Sequence, residues 1–228
     1  MINKKVFTFL IFSLVISLMF GYDITYRYIF YNGETVSKTI DSYTETLVLN
    51  APYRGVKRIE GLQQLQNVRE LRLFNLEASN LDFIGEFNQL EEIHFNNIKP
   101  NNFKMLNNSK NLNVISIKQG LGEELTEKVL NNLLIDLRGF DNLELLIFEG
   151  FTPGLTKVPN FLVTNNKVKL SITNSNIKSF TKEDIEVLKQ FNTVDISYSP
   201  VCSNRKELQK LDDAQIVYIA DSKMRLIQ

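Results

Sequence analysis

The stretch NVRELRLFNL, residues 67–76, decides which fold the sequence predicts. Its apolar residues Leu71 and Leu73 are two positions apart, the spacing of side chains on one face of a β-strand. Apolar pairs of this kind recur along the chain at steps of 22 to 24 residues, with one longer step of 31. The first members of the pairs are Leu47, Leu71, Ile93, Ile115, Leu146, Leu170, Val194 and Val217.

A second apolar pattern precedes most of these pairs. Before Leu71, apolar residues lie three, six and nine positions upstream, at Val68, Leu65 and Leu62. A spacing of three suits a helical or 3₁₀ segment that turns one face inward. Each repeat therefore predicts a short strand, a turn and a tight return segment. No single repeat can bury its own apolar face, so neighbouring repeats must stack.

The run L-x-x-L-x-L in these repeats resembles the strand signature of leucine-rich-repeat proteins. It reads VRELRL at 68–73, LEEIHF at 90–95, LNVISI at 112–117 and LELLIF at 143–148. The phrase IEGLQQLQNVRELRL at 59–73 is similar to the 22-residue class of bacterial internalin-type surface proteins. The resemblance implies an α/β solenoid. Short parallel β-strands would line its concave face, and 3₁₀ or α-helical return limbs would form its convex face.

The repeats depart from the family pattern at one position. The family usually places Asn or Cys three residues after the second strand leucine, and this chain has neither residue there. Asn75, Asn97 and Asn174 come one residue earlier. The subclass and the curvature therefore stay open.

The first residues differ in composition from the rest of the chain. Lys4 and Lys5 precede an apolar run that extends from Val6 to Phe20, the form of a secretory signal. Fifteen helical residues span only about 22 Å, against about 30 Å of bilayer hydrocarbon. Residues 1–21 are thus predicted to be a signal peptide. An uncleaved N-terminal membrane anchor stays open, because Met19 is a poor residue for a cleavage site.

The remaining chain divides into two predicted parts. Residues 22–44 are expected to form a capping hairpin, since Asn32-Gly33 lies between aromatic and β-branched runs. Residues 45–228 are expected to form a repeat array of about eight coils. The longest step contains GEELTEKVLNNLLIDLRGF at 122–140, whose leucine spacing predicts an α-helix on the convex side. Capping boxes are predicted at Thr181 to Asp184 and at Asn204 to Glu207.

Composition argues against some classes of function. Twenty-six basic residues balance 26 acidic ones, so the basic excess of a nucleic-acid-binding protein is missing. Cys202 is the only cysteine, which excludes an internal disulfide. An exported chain without disulfides fits the bacterial surface or envelope, or a secreted bacterial protein.

The sequence contains no convincing catalytic, cofactor or metal site. His94 is the only histidine, so any site that needs two is excluded. A nucleophilic pair of His94 and Cys202 would join residues about five coils apart, roughly 20–25 Å. The glycines of GLGEEL at 120–125 precede acidic residues and are read as turn residues rather than an anion cradle. A hydrolase among the acidic residues remains an alternative, although no carboxylate pair can be named.

The outward-pointing strand residues give the predicted binding surface. Side chains between the buried strand residues point away from the core. Aromatic and arginine side chains are effective anchors for a partner. The predicted partner-binding residues on the concave face are Arg72, Phe74, His94, Asn96, Lys118 and Glu149.

The predicted function is therefore that of a non-enzymatic, exported protein that binds a protein or glycan partner through this face. No nucleic acid and no cofactor are expected. The alternative is a structural or regulatory scaffold of the bacterial envelope, anchored in the membrane. In that case the membrane contact would be made only by residues 6–20, left uncleaved.

Overall fold

The computed structural model describes residues 21–51, 55–76, 81–98, 104–106, 108–118, 134–150 and 155–222. The strands in this part of the chain are β1 (Asp23–Phe30), β2 (Thr35–Asp41), β3 (Thr46–Asn50), β4 (Val56–Glu60), β5 (Glu70–Phe74), β6 (Glu92–Asn96), β7 (Val114–Lys118), β8 (Leu134–Asp136), β9 (Leu145–Glu149), β10 (Asn160–Leu162), β11 (Lys169–Thr173), β12 (Thr193–Asp195) and β13 (Tyr218–Ile219). The α-helices are α1 (Lys182–Leu188) and α2 (Arg205–Asp213). Short 3₁₀ helices lie at Leu62–Gln64, Asp82–Glu86, Lys104–Leu106 and Pro200–Ser203.

Eight of the strands form one parallel sheet, in the order β3-β5-β6-β7-β9-β11-β12-β13. Leu71 lies beside Ile93, and Ile93 lies beside Ile115, so equivalent residues of successive repeats are direct neighbours. All three are at most 1% exposed. The side chains of one sheet face thus form a continuous core, and the spacing of the apolar pairs matches the register from β3 to β12.

The fold class predicted from the sequence, a leucine-rich-repeat α/β solenoid, is wrong for this chain. The described residues form a mixed α/β fold, in which an eight-stranded parallel sheet accompanies a three-stranded antiparallel sheet. They contain only two α-helices, and they do not close into a solenoid. The concave and convex faces that the solenoid would have had are therefore replaced by a buried and an open face of one sheet.

The physical reason for this error is strand pairing that apolar spacing does not reveal. The return segments contain the expected 3₁₀ helices, at Leu62–Gln64, Asp82–Glu86 and Lys104–Leu106. Val56–Glu60, which the prediction placed in the repeat array, instead pairs antiparallel with Asp23–Phe30. Apolar spacing identifies the residues that face the core, but it does not identify the segment with which a strand pairs.

The predicted hairpin is present, but it belongs to a larger sheet. β1 and β2 pair antiparallel around a turn in which Gly33 has a left-handed backbone, at φ 84°. β4 pairs antiparallel with the other edge of β1, so residues from both sides of the predicted boundary at 44 build this sheet. The apolar pattern does not predict β4, because its pairing joins residues about 30 positions apart in the chain.

The helix predicted in the longest step needs a partial correction. Residues 119–133 lie outside the described residues. Leu134–Asp136, which the prediction placed in the helix, form β8 and pair in parallel with β10. Phe161 of β10 is buried, with its ring centroid 5.6 Å from that of Phe148 and 5.4 Å from that of Phe191. This segment therefore adds a second small sheet behind the large one.

The asparagines that departed from the family pattern have a structural explanation. β5, β6, β9 and β11 are each followed by a residue with a left-handed backbone, a conformation that Asn and Gly adopt at low cost. These residues are Asn75 (φ 52°), Asn97 (φ 54°), Gly150 (φ 80°) and Asn174 (φ 53°). Asn97 also donates from Nδ2 to Asn75 Oδ1 at 3.0 Å. The asparagines therefore end the strands and turn the chain away from the sheet.

A second set of asparagines connects neighbouring repeats where the strands begin. Each donates from Nδ2 to a backbone carbonyl of the preceding repeat, which satisfies a group that the return segment leaves open. The bonds run from Asn67 to Ser42 (3.3 Å), from Asn111 to Asn88 (3.4 Å), from Asn142 to Lys110 (3.1 Å), and from Asn165 to Asp141 (3.0 Å) and Leu143 (2.9 Å).

Two buried carboxylates hold α1 and α2, the helices that precede the last two strands of the sheet. The capping box predicted at Thr181 and Asp184 is confirmed, and Asp184 Oδ1 also accepts the Val158 N–H at 3.0 Å. The second predicted box is present only in part. Asn204 caps α2, while Glu207 accepts the Phe180 N–H at 2.7 Å instead of turning back to the cap. Asp184 thus bonds to its cap as predicted, whereas Glu207 bonds to the Phe180 N–H and to Lys210 Nζ, at 2.8 Å.

The last strand corrects the predicted register by one residue. Val217 and Ile219 were expected to be the buried pair, but they are 64% and 54% exposed. Tyr218 pairs with Val194 instead, and Ile216 is buried. The cause is the left-handed backbone of Gln215 after α2, which sends Ile216 inward and reverses the alternation that follows.

This register predicts a contrast between two substitutions. Ile216→Ala should lower the free energy of unfolding by about 2 kcal/mol, because it opens a cavity in the core. Val217→Ala should change it by less than about 0.5 kcal/mol, because that side chain faces solvent. Urea denaturation followed by circular dichroism measures both. A larger loss for Val217→Ala than for Ile216→Ala would show that the strand has the register first expected from the sequence.

Candidate functional site

The open face of the eight-stranded sheet is the face opposite the core, and it carries the alternate residues that include Arg72, His94, Ser116 and Ile147. The side chain of Arg72 is 50% exposed, and that of Lys118 is 44% exposed. The face is therefore open at Arg72 and Lys118, whereas Ser116 in the middle of β7 is completely buried.

The six predicted binding residues all lie on the open face, in two neighbouring rows. Arg72 is the direct neighbour of His94 across β5 and β6. The next row runs across four adjacent strands and contains Phe74, Asn96, Lys118 and Glu149. Lys118 Nζ lies 2.7 Å from Glu149 Oε2, so the far end of that row is an ion pair. The in-register pairing of the repeats thus places these residues close together. That they bind a partner stays a prediction.

Sequence reasoning missed a third row, in which Glu70 lies beside Glu92. Each glutamate precedes a predicted site residue by two positions, Arg72 in one strand and His94 in the next. The alternation of strand side chains therefore contained the signal, because residues at i and i+2 share a face.

Glu70 is the centre of the local contacts. Its Oε1 accepts a hydrogen bond from Arg72 Nε at 2.5 Å, and its Oε2 accepts one from Thr46 Oγ1 at 3.0 Å. His94 Nε2 lies 3.4 Å from Glu70 Oε1 and also 3.4 Å from Glu92 Oε2. A guanidinium, an imidazole and two carboxylates thus converge on the open face.

Opposing effects set the pKa of Glu70. Partial burial raises the pKa of this carboxyl, but the hydrogen bonds from Arg72 and Thr46 and the positive charge of Arg72 outweigh it. The net result is a pKa below the ordinary value of 4.5. Glu70 is therefore held in its charged form as an acceptor.

Cys202 contributes nothing to this cluster. Its thiol is buried and donates from Sγ to the Ile196 carbonyl at 2.8 Å, and burial raises the pKa of the thiol. Cys202 lies beside β12, and His94 is on β6. Four strand spacings separate these strands, which is about 19 Å. The predicted separation of Cys202 from His94 is consistent with this placement. The GLGEEL residues, at 120–125, lie outside the described part of the chain.

A polar cavity of about 460 Å³ opens beside the rows, where β6, β7 and β9 begin. Its lining includes Glu91, Asn113, Glu144 and Asn165. Asn113 Oδ1 is buried without a hydrogen-bond partner among the described residues. The cavity is thus a polar recess whose lining carries three carboxylates and Lys167.

Comparison with known proteins assigns no family. A scan of the chain against protein-family models finds no match, and a search of curated proteins finds none either.

The contacts of Glu70 predict a pH-dependent contribution to stability. Glu70→Gln should lower the free energy of unfolding by no more than about 1 kcal/mol at pH 7, the size usual for partly exposed ion pairs. The pKa of Glu70 is lower in the folded state than in the unfolded state. The difference in free energy of unfolding between the two chains should therefore be largest above the unfolded-state pKa, and it should shrink as the pH falls through the folded-state pKa. Urea titrations at pH 7 and pH 3 measure it. An equal difference at both pH values would contradict this prediction.

Proposed function

We propose that this chain is a non-enzymatic binding protein that holds a protein or glycan partner on its open face. One observation carries the proposal, namely that charged side chains on the sheet face opposite the core are exposed, with Arg72 at 50% and Lys118 at 44%. Parallel sheets are ordinarily covered on both faces. Exposed anchors on such a face are therefore a natural place for a partner.

The dimensions of the face suit an extended partner. Eight strands have seven spacings, so the face is about 34 Å long, and five-residue strands make it about 13 Å wide. A long and narrow band fits a polymer segment, such as a glycan or an extended peptide, better than it fits a small molecule.

The chemistry of the face supports polar recognition around a few anchors. Arg72 and Phe74 lie next to each other along β5, and both are enriched residue types in binding hot spots. His94 and Asn96 on β6 add hydrogen-bonding groups beside them. The centre of the face therefore combines an aromatic anchor, a cation and amide groups within two strands.

A paired comparison of variants tests this proposal. The intact chain and its Arg72→Glu, Phe74→Ala double variant are used as bait in bacterial envelope and host extracts, and on a glycan array. Loss of both anchors should weaken partner binding at least about tenfold. The matched control is Lys182→Glu with Tyr31→Ala, which makes the same changes of charge and ring at exposed residues of α1 and the β1–β2 turn.

The proposal fails if the double variant retains every partner at the strength of the control. It also fails if the control loses the same partners as the double variant, because the open face would then have no special role. Circular dichroism of each variant shows whether the sheet is intact, so loss of fold is separated from loss of contacts.

We also propose that the protein is exported and acts at the bacterial cell surface, in the envelope or as a secreted protein. The basic head and apolar run of residues 4–20 support this, and they lie outside the described residues. Among the described helices, none has the length and apolar character needed to cross a bilayer.

Mass spectrometry of the protein expressed in a bacterial host tests the export proposal. We expect a mature amino terminus near Tyr22, because the apolar run is short for a membrane span. An intact Met1 recovered in the membrane fraction would contradict cleavage and would favour the anchored scaffold. Fractionation without any protein outside the cytoplasm would contradict export altogether.

A further inference from the structure

A carboxylate from each of two strands converges with the only imidazole of the chain. One ligand atom from each of Glu70, Glu92 and His94 can be chosen so that all three lie within 4.8 Å of one another. His94 Nε2 is 3.4 Å from an oxygen of each glutamate. The contact with Glu92 is a long hydrogen bond, and the contact with Glu70 lies within ion-pair distance, so neither oxygen is held tightly by the imidazole.

The same distances fit a metal ion between the three groups. In a tetrahedral zinc site with bonds of about 2.1 Å, two ligand atoms lie about 3.4 Å apart. We propose that Glu70, Glu92 and His94 form a zinc site on the open face, with one coordination position left for water. The site shares His94 with the predicted partner-binding residues, but zinc binding does not require a partner.

Ser116 supplies a second, independent observation. It is the in-register neighbour of His94 on β7, and its side chain is completely buried on the sheet face that carries His94. Its hydroxyl has no hydrogen-bond partner among the described residues. Buried polar groups are nearly always satisfied. Because Ser116 Oγ is itself fully buried, rotation of its side chain toward His94 would be needed to bring it to a water held by a metal ion there.

The set of donors favours zinc over the common hard cations. Calcium and magnesium take six or more oxygen ligands, whereas this cluster offers one nitrogen and two carboxylates. Imidazole with carboxylate suits zinc, which accepts three protein ligands and a water. A single histidine is therefore sufficient here, although it excludes the two-histidine sites considered from the sequence.

Arg72 is the competitor for this site. Its Nε donates to the Glu70 oxygen that lies 3.4 Å from His94, so zinc would have to displace it. Half of the Arg72 side chain is exposed, and exposed ion pairs are weak enough to be broken. Thr46 holds the other oxygen of Glu70 and would keep the carboxylate oriented during the exchange.

The test is a titration of the full, tag-free chain with zinc chloride, followed by calorimetry and by NMR of the imidazole. Because the chain contains one histidine, its ring signals report directly on this residue. We expect one zinc ion per chain and a change in the ring signals, with no competition from magnesium or calcium. A chain that binds no zinc, or binds it without affecting the imidazole, would overturn the proposal.

Variants make the assignment specific. His94→Gln and Glu92→Gln should each weaken zinc binding at least about tenfold, since even residues that merely support metal ligands cause losses of that size. Glu149→Gln, on the same face, and Cys202→Ser should bind zinc as the unmodified chain does. Equal losses in Glu149→Gln and His94→Gln would overturn the site.

Arg72→Gln provides a change in the opposite direction, which loss of fold cannot produce. It removes the cation that competes for Glu70, so zinc should bind more tightly than to the unmodified chain. Unchanged or weaker binding in a folded Arg72→Gln variant would contradict the assignment of Glu70 as a ligand. Partner binding by the open face is measured separately without zinc, so either proposal can fail alone.

Discussion

In-register pairing of short parallel strands is the constraint on which the rest of the molecule depends. Leu71, Ile93 and Ile115 lie side by side, and each strand buries its apolar side chains against the same core as its neighbours. A shift of one residue in any strand would turn its apolar residues to solvent. β13 shows the result of such a shift, because Val217 and Ile219 there are exposed.

The same pairing determines the charges of the open face. It places Glu70 directly beside Glu92, an arrangement of like charges that by itself destabilises a sheet. Arg72 and His94 occupy the next row, where the guanidinium bonds to Glu70 and the imidazole lies between both carboxylates. The repulsion is therefore offset within two strands, and the same convergence of groups could hold a cation.

The sequence predicted those features that depend on alternation and repeat length. The positions of β5, β6 and β7 and the alignment of Arg72 with His94 followed from steps of 22 residues. Features that depend on distant pairing or on one unusual backbone angle did not follow. β4 joins β1 across the hairpin, and Gln215 reverses the alternation of the last strand. The class of fold was wrong because apolar spacing does not show which distant segments pair with each other.

The number of residues that connect neighbouring strands determines how much loop-closure entropy each strand pairing costs. Leu71 pairs with Ile93, 22 residues on, and Ile115 pairs with Leu146, 31 residues on. Because closure entropy grows only with the logarithm of loop length, the longer connection costs about 0.3 kcal/mol more than the shorter one. Insertions between strands therefore cost little loop-closure entropy. A duplicated strand with its connection could add to the sheet at nearly the same entropic cost as the strand before it.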